Sequence, residues 1–185
     1  DAYTERNSRQ QQIISKQGFW AHIFSKLEPI TSVFEFGANR GLNLDAIKII
    51  NPSVSTNGIE INSNAAKISS KNHNIIEGSF INTKVNYPTV NLTFTLGVLI
   101  HIAPENLEKT YELLYKYSNK YIIISEYFSS SPQTINYRGN NNRCWKRDFA
   151  KDIWNKYPEL TLVDYGFIWR YDPVFPDDDL NWFIF

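Results

Sequence analysis

The chain has 185 residues, a length typical of one domain, with 42% hydrophobic and 21% charged residues. Its 19 basic residues balance its 19 acidic ones, which argues against a dedicated nucleic-acid binder, because such proteins usually carry a basic excess. A single cysteine, Cys144, excludes an intrachain disulfide and favours a reducing, cytoplasmic compartment. No apolar run approaches the ~20 residues that span a bilayer, so no membrane association is expected.

Predicted helices and strands alternate through the first two thirds of the sequence. Residues 1–12 are polar and are interpreted as an arm, and apolar residues at helical spacing predict a helix over 13–27. Five short apolar segments then predict strands over 30–36, 54–60, 74–77, 90–96 and 121–126, with helices over 42–50, 63–70 and 104–117. Such alternation is typical of a parallel sheet covered on both faces.

The last third breaks this alternation. Residues 129–147 are polar, and 149–154 are predicted to be helical. Segments 160–171 and 180–185 predict two long strands, which we expect to pair antiparallel because no helix separates them. The predicted fold class is therefore α/β, with a seven-stranded, mostly parallel sheet, an antiparallel C-terminal strand pair and helices on both faces.

The segment Glu-Phe-Gly-Ala-Asn-Arg-Gly, from Glu35 to Gly41, joins the first strand to the next helix. Free N–H groups at a helix start carry partial positive charge and suit an anionic or polar ligand. Gly37 allows close approach of the backbone, and Gly41 allows close packing of helix and strand. The diphosphate fingerprint G-x-G-x-x-G fails at Asn39 and Leu42, which disfavours a nicotinamide oxidoreductase.

Glu60 ends the second predicted strand. An acidic residue at this place can accept hydrogen bonds from both ribose hydroxyls of an adenosine cofactor. A solvated carboxylate is the alternative, but the loop 37–41 in the same βαβ unit favours ribose binding. After the third strand, Ser79 and Phe80 could hydrogen-bond and cover an adenine, or could form an ordinary turn.

The ends of the fourth and fifth predicted strands carry further candidates. Gly97 permits close approach of a cofactor. His101 could act as a general base or bind the substrate, as histidine side chains often do in enzymes, or it could cap the next helix. Glu126 and Tyr127, at the end of the fifth strand, are further candidate catalytic residues.

A basic cluster follows the fifth strand. It could bind an anionic acceptor, such as a carboxylate or phosphate on a sugar, or form a solvated surface paired with Asp148 and Asp152. Cysteine and histidine residues show no metal-binding spacing, so no metal is predicted. The candidate substrate-binding residues of the cluster are Arg138, Arg143, Lys146 and Arg147.

These motifs resemble those of the class I, Rossmann-like, S-adenosylmethionine-dependent methyltransferases. Glu35–Gly41 resembles their first motif, E/D-x-G-x-G-x-G, with Asn39 in place of the middle glycine, and Glu60 matches their acidic ribose ligand. The antiparallel C-terminal strands match the end of that fold. A narrower resemblance, to the pseudaminic acid biosynthesis-associated methyltransferases, covers nearly the whole chain through segments 3–7, 37–39, 97–102, 137–139 and 145–150.

The resemblance implies methyl transfer from S-adenosylmethionine to a small-molecule acceptor, a sugar or nucleotide-linked sugar in surface-glycan biosynthesis. A catalytically silent cofactor- or carbohydrate-binding module of the same fold is the alternative. One domain is expected, with an arm and helix (1–28), a cofactor-binding half (30–128) and an acceptor-side segment (129–185). The cofactor-binding residues implied are Tyr3, Arg6, Gly37, Ala38, Asn39, Gly41, Glu60, Ile61, Gly78, Ser79, Phe80, Leu96, Gly97 and Val98.

Overall fold

A computed structural model describes residues 9–83, 86–136, 139 and 144–185, with side chains from residue 12 onward. Seven strands form one sheet in the order β3-β2-β1-β4-β5-β9-β8. Strands β1 to β5 are parallel, and β9 pairs antiparallel with both β5 and β8. The predicted fold class is confirmed. The strands are β1 Ser32–Phe36, β2 Ser55–Glu60, β3 Asn74–Glu77, β4 Val90–Leu96, β5 Ser118–Glu126, β8 Asp164–Ile168 and β9 Leu180–Ile184.

Five α-helices and one 3₁₀-helix connect or flank these strands in the described part of the chain. Local sequence explains several of their starts. The Asn62 side chain accepts hydrogen bonds from two backbone N–H groups of the helix that follows it, and Pro104 opens another helix. The helices are α1 Arg9–Phe24, α2 Leu42–Ile50, α3 Ser63–Ser69, the 3₁₀-helix Leu99–His101, α4 Pro104–Lys116 and α5 Phe149–Lys156.

Two apolar cores cover the two faces of the sheet. One includes Trp20 from α1 and Phe94 from β4, whose ring centroids lie 4.6 Å apart. The other includes Phe34 from β1 together with Leu114 from α4 and Ile153 from α5. Both faces of the central strands are therefore buried, which explains why these strands are almost continuously apolar. No helix within the described residues is both long and apolar enough to cross a membrane.

The structure differs from the predicted elements mainly in the last third. Strand β8 covers only 164–168 of the predicted 160–171, because Leu160 donates to the carbonyl of Tyr157 in a turn and Asp172 donates to that of Trp169 in another. A small antiparallel pair, β6 Gln133–Thr134 and β7 Trp145–Lys146, was not predicted, since two-residue strands in a polar segment give no periodic signal.

Candidate functional site

The five parallel strands bring their carboxyl ends to one edge of the sheet. The residues that follow β1 to β5 at this edge are Gly37, Ile61, Gly78, Gly97 and Tyr127. Ligands of open α/β sheets bind outside this edge. The structure therefore gathers the described members of the predicted cofactor-binding set, although they are spread over more than 60 positions of sequence.

Gly37 turns the chain sharply away from β1. The N–H groups of Gly37 and Ala38 both donate to the carbonyl of Ile59 at 2.9 Å, which ties this loop to β2. Gly37 has φ +80°, and a Cβ here would lie 2.7 Å from Cγ2 of Val98. Glycine is thus required both by the backbone conformation and by the close approach of the loop after β4.

Asn39 occupies the place of the middle glycine in the resembled motif. Its φ of +47° lies in the left-handed region, which asparagine tolerates better than other side-chain-bearing residues. The exposed Asn39 therefore preserves the turn that a glycine would make. Gly41, with φ +78°, faces a different element from the one predicted: a Cβ there would lie 2.9 Å from Cβ of Ser69 in α3.

Glu60 links the two loops that follow β1 and β2. Its Oε2 accepts the N–H of Asn39 and its Oε1 accepts the N–H of Asn62, both at 2.7 Å. The side chain is buried, but a carboxylate can accept about four hydrogen bonds, so each oxygen keeps a lone pair for a further donor. Beside it, Ile61 is 69% exposed and offers an apolar surface.

Glu35 is a buried carboxyl group beneath the glycine loop, and sequence reasoning assigned it no role beyond membership of the motif. Its Oε1 accepts from the amide of Asn43 at 2.6 Å, whereas its Oε2 has no hydrogen-bond partner among the described residues. Burial raises the pKa of Glu35 to about 8, the Asn43 bond opposes this rise and the charge of Glu60 adds to it. The sequence feature that points to this buried carboxyl group is an acidic residue within an otherwise apolar strand.

The predicted adenine side lies at the end of β3. The N–H of Gly78 donates to the carbonyl of Glu60 at 2.8 Å, and Ser79 is partly exposed. Phe80 is only 8% exposed and packs edge-on against Phe36 with ring centroids 5.5 Å apart. The Phe80 ring thus belongs to the core, and the exposed Ile61 is better placed to cover an adenine face.

The end of β4 leaves open space. Gly97 follows Leu96, has φ +67° and donates its N–H to the carbonyl of Ser125 at 2.9 Å. A Cβ on Gly97 would meet no atom within 4 Å. The next residue, Val98, packs against Gly37 so closely that a Cβ on Gly37 would lie 2.7 Å from its Cγ2. The edge of the sheet between β1 and β4 therefore has room for a ligand close to the backbone.

Glu126 supports the turn after β4. Its buried carboxylate accepts the N–H groups of Val98 at 3.0 Å and Ile100 at 3.4 Å, at the start of the 3₁₀-helix. Burial raises the pKa of Glu126 to about 7, while these backbone hydrogen bonds oppose the rise. The geometry gives Glu126 a positioning role, and its catalytic role stays a prediction. His101 ends the same 3₁₀-helix and is exposed.

The described part of the basic cluster lies beside the end of β5. Lys146 Nζ is 4.7 Å from the ring centroid of Tyr127, a cation–π arrangement. Arg147 Nε lies 2.5 Å from Oδ2 of Asp152, so Arg147 forms the local ion pair that was the alternative to acceptor binding. Four predicted site residues, Tyr3, Arg6, Arg138 and Arg143, lie outside the described residues.

A shallow cleft, open to solvent, adjoins Glu126 and Tyr127. It lies between the end of β5 and the start of α5, and strand β9 forms its far side. In the described part of the chain, no three His, Cys, Asp or Glu side chains come together as a metal site requires. The cleft is lined by Ile124, Glu126, Tyr127, Phe128, Arg147, Phe149, Ala150, Asn181 and Phe183.

Solved structures match this architecture along most of the chain. A SAM-dependent methyltransferase from Archaeoglobus fulgidus is 13% identical with a TM-score of 0.70, and the match covers 97% of this chain and 94% of that one. The plantazolicin methyltransferase BpumL, in complex with S-adenosylhomocysteine, is 14% identical with a TM-score of 0.66 over 99% and 86% of the two chains. The chain has the class I methyltransferase fold.

A third match shows how far the likeness extends. The O-methyltransferase of a trans-AT polyketide synthase multienzyme from Brevibacillus brevis, in complex with S-adenosylhomocysteine, is 14% identical with a TM-score of 0.64. The match covers 85% of this chain but only 54% of that protein, so this chain spans about half its length. No family model matches the sequence, and no curated protein matches it. The narrower resemblance to the pseudaminic acid-associated methyltransferases stays a prediction.

Proposed function

We propose that the protein transfers a methyl group from S-adenosylmethionine to a small-molecule acceptor, a sugar or nucleotide-linked sugar. The observation that carries this proposal is Glu60, whose carboxylate bridges the loops after β1 and β2 at the carboxyl edge of the sheet. This arrangement has hydrogen-bonding capacity for an adenosine but no second or third fingerprint glycine for a diphosphate.

The residues at the sheet edge fit the cofactor. Glu60 retains lone pairs for the ribose hydroxyls, and the exposed Ile61 offers an apolar face to the adenine. The space in front of Gly97 admits the methionine portion, and Oε2 of Glu35, which has no hydrogen-bond partner among the described residues, lies beneath the loop that would hold it. When bound, the cofactor supplies a methyl group on a positively charged sulfur, which is a good leaving group.

The main catalytic task of the chain is alignment, since positioning alone can accelerate a displacement greatly. Glu126 fixes the turn that carries Val98 and Ile100, and that turn presents His101 at its end. For a hydroxyl acceptor, His101 would take up the proton as a general base. The division into a cofactor-binding half (30–128) and an acceptor-side segment (129–185) belongs to the same proposal.

The acceptor site is proposed at the cleft beside Tyr127. This cleft lies at the end of β5, next to the space in front of Gly97, so an acceptor there would reach the edge where the methyl group is held. Lys146 lies against the Tyr127 ring and supplies a positive charge for a carboxylate or phosphate on the sugar. Arg147 is engaged by Asp152 and is expected to contribute less.

Thermal unfolding tests the cofactor. A ligand at a concentration one hundred times its Kd stabilises by about 2.7 kcal/mol, which corresponds to a rise in Tm of roughly 5–10 °C for a domain of this size. S-adenosylhomocysteine is expected to give such a shift, and NAD is expected to give none. Stabilisation by NAD alone would contradict the proposal.

Mass spectrometry of reaction mixtures tests the chemistry. Incubation with S-adenosylmethionine and a panel of nucleotide sugars is expected to yield a methylated sugar and S-adenosylhomocysteine. Cofactor binding without any methylated product across sugars and non-sugar acceptors would favour the silent binding module instead. A methylated product from only non-sugar acceptors would leave methyl transfer standing and overturn the sugar assignment.

A further inference from the structure

Strand β8 and the turn after it carry a row of exposed aromatic side chains. Single exposed apolar side chains are ordinary, but four large ones at alternate positions of one segment indicate a binding surface. The carboxyl half of the row is held in place, because Arg170 donates to Asp179 through both its backbone N–H and its Nε. This row, named the aromatic strip, consists of Tyr165, Phe167, Trp169 and Tyr171, which are 64%, 53%, 51% and 69% exposed.

The topology brings the aromatic strip to the functional edge. Because β9 is antiparallel to both β5 and β8, β8 runs in the same direction as β5. The carboxyl end of β8 therefore lies at the edge where Glu126 ends β5. Glu126 is paired with Asn181, and Asn181 is paired with Phe167, so these three residues form one row across the sheet. Phe167 is about 10 Å from β5, two strand spacings.

The part of the aromatic strip that lies on β8, Tyr165 and Phe167, shares a sheet face with the cleft. Residues directly opposite each other in antiparallel strands point to the same face. Asn181 and Phe183 line the cleft, and their partners on β8 are Phe167 and Tyr165. The rings of Tyr165 and Phe183 are stacked, with centroids 6.0 Å apart. The Phe183 ring of the cleft thus contacts the Tyr165 ring of the edge strand.

We propose that the aromatic strip is a subsite that holds a pyranose ring of the acceptor while another part of the acceptor enters the cleft. This inference rests on the proposed function. The cleft is shallow and open to solvent, so it encloses only a small part of an acceptor and the rest must extend beyond it. Tyr165 and Phe167 of the strip are the strand partners of Phe183 and Asn181, which line the cleft.

The chemistry of the strip suits a sugar ring. A pyranose has a flat face of C–H groups surrounded by hydroxyls. The strip offers apolar ring faces with polar groups beside them, namely the phenol of Tyr165, the amide of Asn181 and the indole N–H of Trp169. Aromatic rings supply contact area and orientation, and these polar groups can hydrogen-bond the hydroxyls.

A second copy of the chain is a poorer occupant. Four aromatic side chains that are each about half exposed present roughly 400 Å² in total, since a fully buried aromatic side chain buries about 150–250 Å². A stable protein interface needs about 800 Å² on each partner. The strip therefore matches the size of a ligand with one or two rings better than that of a protein partner.

Saturation-transfer NMR on the full chain with S-adenosylhomocysteine bound tests the inference. The probes are the methyl glycosides of glucose, galactose, mannose and N-acetylglucosamine at millimolar concentration, with phenol as a non-sugar ring. At least one glycoside is expected to show saturation on the C–H protons of one ring face. The Tyr165→Ala, Phe167→Ala double variant is expected to lose this signal.

The matched control is Trp154→Ala. Trp154 is 43% exposed on the same side of the sheet, beside Phe185, which pairs with Ile122 in the middle of β5 and not with the functional edge at Glu126. Retention of the glycoside signal in Trp154→Ala and its loss in the double variant would support the subsite.

Three results would overturn the inference. They are no saturation of any glycoside, saturation that survives in the double variant, and a dimer in light scattering that the double variant dissociates. Calorimetry with S-adenosylhomocysteine on the same samples separates the two proposals. Binding of S-adenosylhomocysteine without glycoside contact overturns only the subsite, whereas no binding of S-adenosylhomocysteine by the wild-type chain overturns the proposed function.

Discussion

The loops after β1 and β2 differ from strand β8 in how they present a surface. In the loops, a buried carboxylate, that of Glu60, and the backbone N–H groups of Asn39 and Asn62 satisfy one another. On β8, Tyr165 and Phe167 present side chains that are more than half exposed. The comparison indicates that substitutions in the loops change folding and ligand binding together, whereas those on β8 change ligand binding alone.

Glu60→Ala is expected to have the largest effect. It removes two ribose contacts, each worth about 1.5–3 kcal/mol for a charged acceptor, so affinity for S-adenosylhomocysteine should fall roughly a hundredfold or more. It also leaves the N–H groups of Asn39 and Asn62 without an acceptor, which should lower the free energy of unfolding by about 3 kcal/mol. Calorimetry and urea unfolding measure the two effects.

Glu77→Ala is the matched control for Glu60→Ala. Glu77 ends the neighbouring strand β3, is exposed and accepts a hydrogen bond from Ser63. The Glu77→Ala substitution should leave the affinity for S-adenosylhomocysteine within about threefold of the wild-type value, a change of less than ~0.7 kcal/mol. Equal losses of affinity in the two variants would show that the ribose contact is not specific to Glu60.

Gly37→Ala and Gly97→Ala separate folding from binding. Both positions have positive φ, which costs a residue with a side chain about 1 kcal/mol or more. At Gly37 the new methyl group also meets Val98, so the loss of stability should reach about 2–3 kcal/mol. At Gly97 the space is open, so the loss should stay near 1 kcal/mol while the methyl group obstructs the cofactor.

Urea unfolding and calorimetry distinguish these two variants. Gly37→Ala should show the larger fall in unfolding free energy. Gly97→Ala should show weaker binding of S-adenosylhomocysteine with the smaller fall in stability. Full cofactor affinity in Gly97→Ala would place the cofactor away from β4.

The pH dependence of stability tests the buried Glu35. Its folded-state pKa of about 8 lies above the ordinary value of 4.5, so the folded state binds the proton more tightly than the unfolded state. This contribution to stability is complete below about pH 4.5 and is lost as the pH rises toward 8. In Glu35→Gln, which stays neutral, the decline of the urea midpoint over this range should be smaller than in the wild type.

The raised pKa of Glu126 also makes the folded state less stable as the pH rises toward 7. Burial lowers the pKa of His73, so His73 makes the folded state more stable as the pH rises. Both groups remain in Glu35→Gln, so the difference between the two curves isolates Glu35. Parallel curves would mean that Glu35 is not held protonated by burial.

Phe167→Ala is expected to have the smallest effect on stability. Its side chain is about half exposed on an edge strand, so unfolding free energy should change by less than about 0.5 kcal/mol. The contrasting variant Phe94→Ala empties a fully buried position and should lose about 3–5 kcal/mol. A large loss of unfolding free energy in Phe167→Ala would show that β8 is part of the core. Strand β8 would then not differ from the loops after β1 and β2 in its contribution to folding.

The sequence predicted the sheet well where the periodic signal is strong. Buried strands such as β1 and β4 are short apolar runs, and they were found within two residues of their observed bounds. The last third was predicted less well, because the turns around β8 depend on specific hydrogen bonds, such as that of Arg170 with Asp179, rather than on periodicity.

The candidate site divides in the same way. Gly37 and Glu60 could be predicted because a glycine in a turn of positive φ and a carboxylate at the end of a strand are both local features of the sequence. Two hydrogen bonds could not be predicted from the sequence, because they depend on how separate segments pack. They are the bond from the Asn43 amide to Glu35 and the bond from the Val98 N–H to Glu126.

By itself, the sequence determined the alternation of strands and helices, the glycine turn and the acidic residue that ends β2. These are local properties of backbone conformation and apolar pattern. Only the tertiary structure decided which residues share a sheet face and a row. It joined Glu126, Asn181 and Phe167 across three strands, because strand order and register are set by packing between segments far apart in sequence.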